Sequence, residues 1–384
     1  MSVILFIIFF TLYGGLNLYI GLWGWQLLVS KMPFLNMAVY WVVFSLPVIF
    51  GVVGTVANKV IPRPLKRTMY LIGSYWLAAM TYFILIFLLL DVVRLLDRWT
   101  GFMPGAISGS DALSITLGAA VLFSVLGLML YGTFNARAIQ VTSYQIDIPK
   151  QAGSLKQLRI AMLSDTHFGP VNDQRQDKIF DALHRINPDL VLLSGDIVDN
   201  IEQFEELGMA RYFRSIKTRY GIYVSFGNHE HFAENADLIT ERLNKAGIHV
   251  LRDSSVNIAD SFYLVGREDK TYEMISRNQR TAVSELVQGL NGDRPVIMLS
   301  HQPVDLKEAK DAGVDLMLSG HTHKGQFFPF NLVTSRIFAV DYGYLKKGSL
   351  QVIVTSGAGT WGPPIRIGST SEVVDITVNF PQAG

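Results

Sequence analysis

Five short apolar runs in the C-terminal part of this 384-residue chain each end in residues that bind cations or move protons. Run 159–163 leads into Asp165-Thr-His167, run 190–193 into Ser194-Gly-Asp196, and run 222–226 into Gly227-Asn-His-Glu230. Run 296–299 leads into Ser300-His301, and run 316–318 into Ser319-Gly-His-Thr-His323. All eight histidines lie beyond residue 166. Mixed Asp, Asn and His donors suit divalent ions such as Mn, Fe, Zn or Mg. Asp-x-His and His-x-His each put alternate side chains on one side of an extended segment. Two cations about 3.5–4 Å apart need a shared carboxylate, a bridging hydroxide and several terminal ligands. Asp165, His167, Asp196, Asn228, His229, His301, His321 and His323 supply that set, with one histidine left over for proton transfer. A lone Asp-x-His is common, and Asn228-His229-Glu230 alone reads equally well as a turn. Five such endings in order, each closing an apolar run, serve no packing purpose.

The elements that must carry these residues are strands alternating with helices. Helical stretches are expected near 173–186, 201–217, 236–246 and 304–312. Further strands are expected near 141–149, 189–193, 249–251, 256–258, 262–265, 350–355 and 373–378. That alternation is an α/β layered pattern. Strands of one sheet can bring their carboxyl ends to a single crevice, where open α/β sheets hold ligands. The glycines before Asp196, Asn228 and His321 suit sharp turns that aim side chains into it.

As an ordered set, Asp165-x-His167, Gly195-Asp196, Gly227-Asn228-His229-Glu230, His301 and Gly320-His-x-His323 resembles the calcineurin-like metallophosphoesterases over about residues 157–325. Ser356-Gly-Ala-Gly-Thr-Trp-Gly-Pro-Pro-Ile-Arg366 is similar to the membrane-associated bacterial branch, which includes enzymes like the UDP-2,3-diacylglucosamine pyrophosphatases of lipid A synthesis. The resemblance implies a four-layer α/β/β/α sandwich with two divalent metal ions between the sheets, manganese first among the candidates. It assigns Asp165, His167 and His323 to one metal and Asn228, His301 and His321 to the other. Asp196 bridges them, and His229 is the catalytic histidine, oriented by a neighbouring acid. Glu230 stands where many members carry Asp.

Around this set stand weaker candidates. Arg267 and Arg366 could grip phosphate, although surface-loop arginines are more often solvated. His231 could face the cleft or solvent, and His184 and His249 read as structural. Lys346 and Lys347 could meet anionic lipid, although a solvated loop is the commoner reading.

The first 136 residues are of another kind. Stretches 3–29, 37–57, 68–90 and 112–136 lack Lys, Arg, Asp and Glu and are long enough to span a bilayer. The expected layout is a four-span membrane region over 1–136, a linker over 137–156 and the metallophosphoesterase domain over 157–384. Lys59, Arg63, Lys66 and Arg67 cluster between the second and third spans. The positive-inside rule then puts both termini and the catalytic domain on the cytoplasmic side of the inner or plasma membrane. Spans so poor in ionisable groups argue for an anchor over a transporter.

Charged residues make up 17% of the chain, below the roughly 25% of soluble domains. The part through Ala136 carries a net +4 and the remainder −3, so no field is available to hold nucleic acid non-specifically. With no cysteine, thiolate metal sites and cysteine nucleophiles are excluded. The expected activity is hydrolysis of a phosphoester or pyrophosphate in an amphipathic, lipid-linked substrate such as UDP-2,3-diacylglucosamine. The alternatives are a phosphodiesterase for small nucleotides and a membrane-tethered metal-binding scaffold.

Overall fold

The computed structural model describes residues 3–56, 61–102, 110–168, 175–199, 201–233 and 235–382. Ala57, Lys59 and Asp173, each part of an expected element or cluster, lie outside them. The chain divides into two compact units, 1–131 with 362–364 and 132–361 with 365–384.

Four helices dominate the N-terminal part: α1 (Val3–Leu27), α2 (Met37–Val56), α3 (Arg63–Thr100) and α4 (Asp111–Ala136). Each is long and apolar enough to cross a membrane. Ile20, Trp23, Leu27, Met80, Phe87 and Val121 pack together, whereas Phe9, Leu12, Val42, Leu89 and Phe123 point outward. Outward apolar side chains with all backbone bonds made inside the helix are what lipid requires. The third span is longer than expected. Asp91, Arg94, Asp97 and Arg98, expected in a loop after residue 90, continue α3 to Thr100, where Gly101 closes it at φ 60°.

The second unit holds two six-stranded sheets. The first joins β1 (Ile139–Asp147), β12 (Ser371–Asn379), β2 (Gln157–Leu163), β3 (Leu190–Ser194), β4 (Ile222–Ser225) and β5 (Ile248–Val250) in that spatial order. The second joins β10 (Gly343–Lys347), β11 (Leu350–Val354), β9 (Leu316–Ser319), β8 (Val296–Leu299), β7 (Phe262–Gly266) and β6 (Ser254–Ile258). Segment 137–156, expected as a linker, contains β1, which pairs in parallel with β12 from Ile139↔Ser371 to Asp147↔Asn379. Strand and membrane helix are separated by residues 137–138 alone.

Period-two alternation builds the layers. Ile160, Met162, Leu190 and Leu192 face inward and meet Ile297, Leu299, Leu316, Leu318 and Ile353 of the other sheet. Their neighbours Ala161, Leu163, Val191 and Leu193 face outward onto helices Arg175–Ile186, Met209–Ser215 and Ala236–Lys245. Across the second sheet, Met298, Met317, Val352 and Val354 pack against Val283, Leu306 and Ala309 of short helices. The result is an α/β/β/α sandwich, the layering that the resemblance implies. Two details differ from expectation. The donor-bearing strands do not share one sheet: β2, β3 and β4 belong to the first, β8 and β9 to the second. The helix expected over 201–217 is two, Ile201–Glu206 and Met209–Ser215, because Gly208 takes φ 63° between them.

Candidate metal centre

Every donor in the expected set sits just past the carboxyl end of a central strand, where the regular ladder gives way to a loop or a short helix. Asp165, His167, Asp196, His321 and His323 all have positive φ, between 45° and 68°. Such backbone costs about 1–3 kcal/mol per residue and survives only where the surroundings enforce it. The glycines permit the crowding. A Cβ on Gly320 would lie 2.1 Å from Asp165 Oδ2, and one on Gly227 2.2 Å from Asp196 Oδ1.

The side chains converge in two overlapping groups. In one, His323 Nε2 lies 3.2 Å from Asp165 Oδ1 and 3.3 Å from His167 Nε2. In the other, His301 Nε2 lies 3.2 Å from Asp196 Oδ2 and 3.3 Å from His321 Nδ1, and Asn228 Oδ1 is 2.9 Å from His321 Nδ1. Asp196 Oδ2 reaches both, standing 4.0 Å from His167 Nε2 and 4.0 Å from His229 Nε2. Bonds of about 2.0–2.2 Å to one ion place neighbouring donors roughly 3–3.6 Å apart, so these spacings fit divalent cations. His301 donates through Nδ1 to the carbonyl of Ser194 at 2.7 Å, which fixes the tautomer and leaves Nε2 as a lone-pair donor.

The electrostatics are those of a buried array awaiting positive charge. Burial alone would raise Asp165 and Asp196. Facing histidines, His323 first for Asp165 and His301 first for Asp196, instead hold Asp165 well below its usual range and Asp196 at about 2. Burial opposes a charge on His167, yet Asp199, with help from Asp196 and Asp165, pushes it up to about 9. His301 is likewise raised against burial, mainly by Asp196. Burial and neighbouring His301 bring His321 down to about 4, and burial lowers His323 despite Asp165.

Asp199 is the functional residue that sequence reasoning missed. Its Oδ1 takes His167 Nδ1 at 2.7 Å and His229 Nδ1 at 2.8 Å, so it is the acid that orients His229. The available signal was its spacing, three residues after Asp196 on the same loop. Glu230 does something else. Its buried carboxylate accepts the backbone N–H groups of Asp196 (2.9 Å), Ile197 (2.6 Å), Val198 (3.1 Å) and Gly227 (2.8 Å), tying the loops after β3 and β4 together.

The two candidate phosphate-gripping arginines are neither solvated nor available. Arg366 is fully buried and donates to the carbonyls of Ser356 (2.6 Å), Gly357 (3.1 Å) and Gly359 (2.7 Å), shaping the 356–359 loop. Arg267 is buried in ion pairs with Glu308 (2.9 Å) and Asp305 (3.4 Å). His231 faces neither cleft nor solvent: it is buried with Nε2 2.9 Å from Glu268 Oε2. His184 is exposed beside Ser215, and His249 stacks on Tyr223 with ring centres 5.0 Å apart.

Residues 158–325 match the family model described as calcineurin-like phosphoesterase. An uncharacterized metallophosphoesterase of Aquifex aeolicus (strain VF5) is 31% identical over 262 residues, covering 67% of this chain and 98% of that protein. A transmembrane protein with metallophosphoesterase domain from Danio rerio is 29% identical over 327 residues, covering 79% of this chain and 74% of that one. This chain spans 59% of an uncharacterized metallophosphoesterase from Helicobacter pylori (strain J99 / ATCC 700824), at 31% identity over 57% of its own length. The 5'-nucleotidase precursor of Thermus thermophilus superposes with a TM-score of 0.34 at 18% identity, over 58% of this chain and 54% of that one, too slight a likeness to carry argument.

Proposed function

Since the chain belongs to the calcineurin-like metallophosphoesterase family and is a membrane-borne, metal-dependent hydrolase, we propose that it cleaves a phosphoester or pyrophosphate in a lipid-linked substrate, of the UDP-2,3-diacylglucosamine type. In this reading Asp165, His167 and His323 hold one divalent ion, and Asn228, His301 and His321 hold the second. Asp196 is shared between them, and manganese is the first candidate for both. The observation that carries the assignment is the position of Asp196 Oδ2, 3.2 Å from His301 Nε2 and 4.0 Å from His167 Nε2. The ions, when bound, supply charge neutralisation on the phosphoryl oxygens and lower the pKa of water.

The chain's own contribution is positioning and proton delivery. His229 is the proton donor to the leaving oxygen: its Nδ1 is fixed by Asp199, which turns Nε2 toward the centre. The carboxylate of Asp199 accepts from Nδ1 and so holds the orientation of the ring. Glu230 keeps the loops carrying Asp196 and His229 in register through its backbone bonds. Spans poor in charge support anchorage, and Arg63, Lys66 and Arg67 in the first turns of α3 support a cytoplasmic catalytic unit.

The test is turnover by the full chain with manganese against lipid pyrophosphates, lipid phosphates and cyclic nucleotides. The expected result is preference for the lipid pyrophosphate, abolished in Asp196→Ala. Preference for cyclic nucleotides would overturn the lipid reading, and full activity in Asp196→Ala the shared-ligand assignment.

A further inference from the structure

Immediately after His323 the second unit carries a helix, Phe330–Ile337, that buries none of its side chains. Phe328, Phe330, Leu332, Val333, Ile337 and nearby Trp361 are between 42% and 67% exposed. Scattered exposed apolar residues are ordinary, but six large ones gathered around one two-turn helix form a surface that water disfavours. This patch is fastened to the loop that carries His321 and His323. Gly325 approaches so closely that a Cβ there would lie 2.1 Å from the Asn331 nitrogen. Phe327 and Phe330 meet edge to face with ring centres 5.1 Å apart. Gln326 holds Trp361 through both its amide atoms, donating to the carbonyl at 2.9 Å and accepting the N–H at 2.8 Å. Thr334 Oγ1 and Thr322 Oγ1 both donate to Asp341, at 2.7 Å to its carboxylate and 2.5 Å to its carbonyl. The helix is therefore a rigid extension of the metal-binding loop.

We propose that helix Phe330–Ile337, with Phe328 and Trp361, is an interfacial contact that sinks into the headgroup layer of the bilayer and holds the His321–His323 side of the metal centre at the level of a lipid phosphate. Three observations commit it to lipid. The same chain carries four helices long and apolar enough to cross a membrane, and only residues 137–138 separate α4 from β1 in sequence. The patch combines aliphatic side chains with Trp and Phe, the mixture favoured at headgroup depth. The helix has no acidic residue and carries Arg336 in its last turn, which suits an anionic leaflet. The consequence for substrate, a phosphate presented in the headgroup plane, rests on the lipid-linked reading above.

The chain contains no cysteine, so one introduced thiol takes one spin label. Leu332→Cys and Ile337→Cys would be labelled in the full chain in vesicles of phosphatidylcholine with phosphatidic acid, with Glu241→Cys on helix Ala236–Lys245 as the reference. Labels at 332 and 337 are expected to collide more with oxygen than with a water-soluble nickel complex, and the label at 241 the reverse. Equal nickel access at 332 and 241 would overturn the contact. So would shielding from both reagents in vesicles and detergent alike, which would assign the patch to a second copy or a protein partner. As an activity arm, Leu332→Glu with Val333→Glu should lower the ratio of phosphatidic acid to nitrophenyl phosphate turnover about tenfold. An unchanged ratio would overturn the link between patch and substrate presentation. Lipid-facing labels with no turnover of any lipid phosphate would support the contact and refute the lipid-linked reading instead.

Discussion

The membrane helices and the rim of the sandwich face the same physical cost, burial of polar groups away from water, and meet it in opposite ways. In the described helices polar groups are few, and several are paired one to one. Asn17 accepts from Trp76 Nε1 at 2.8 Å and donates to the Tyr13 carbonyl at 2.8 Å, and Tyr19 donates to Asp91 at 2.6 Å. At the rim, ionisable groups converge: Asp165, Asp196, His167 and His301 are all buried, and Asp196 Oδ2 lies 3.2 Å from His301 Nε2 and 4.0 Å from His167 Nε2. Paired polar groups in isolation make structure, whereas converging ones leave lone pairs aimed at a common point. A cation at that point settles the cost, and a phosphoryl group can share the cation.

That contrast predicts a steep gradient of mutational effects. Asp196→Ala should cost on the order of a thousandfold or more in turnover, as should chelation of the metal, without loss of membrane insertion. Steady-state assays beside a flotation assay would check both halves. Asp199→Asn should cost about 10–100-fold, with a larger loss for alkyl phosphates than for nitrophenyl phosphate, because it would disorient His229, the proposed proton donor. Equal losses for both leaving groups would remove His229 from proton delivery.

The third effect is on stability. In metal-free protein His167 has its pKa raised to about 9 and His301 is raised with it. A raised group contributes stability fully below its ordinary pKa of about 6.5 and loses it as pH climbs through the folded value. His321 and His323 are lowered, so their contribution changes only on the acid side of 6.5. Metal-free protein should therefore melt at lower temperature at pH 9 than at pH 6.5, and manganese should erase the difference by displacing the protons. Thermal melts with and without metal would show it. The smallest effect is expected at Asn17→Leu, about 1 kcal/mol in stability and less than about twofold in turnover.

The donors were legible because metal-competent types directly after apolar runs are unusual, and an ordered series of five leaves little for packing to explain. The four spans were legible for a similar reason, although charge at Asp91 and Arg94 hid how far α3 continues. Asp199 was not legible, since an acid three residues past Asp196 reads as ordinary loop polarity until both imidazoles are seen on one oxygen. Arg366 was misjudged because a guanidinium surrounded by carbonyls and one surrounded by water look alike in a string of letters. The division of donors between two sheets depends on nonlocal pairing of β12 with β2 and of β11 with β9, which no local pattern encodes.

One oxygen, Asp199 Oδ1, receives both His167 and His229. A ring that donates electron density to a cation becomes a better donor of its remaining N–H, and it then takes a larger share of that oxygen from its competitor. In the assignment proposed above, an ion at His167 would thus change how firmly Asp199 holds His229. Exchanging manganese for zinc would change which leaving groups the enzyme tolerates as well as how fast it works, making metal supply a dial on selectivity.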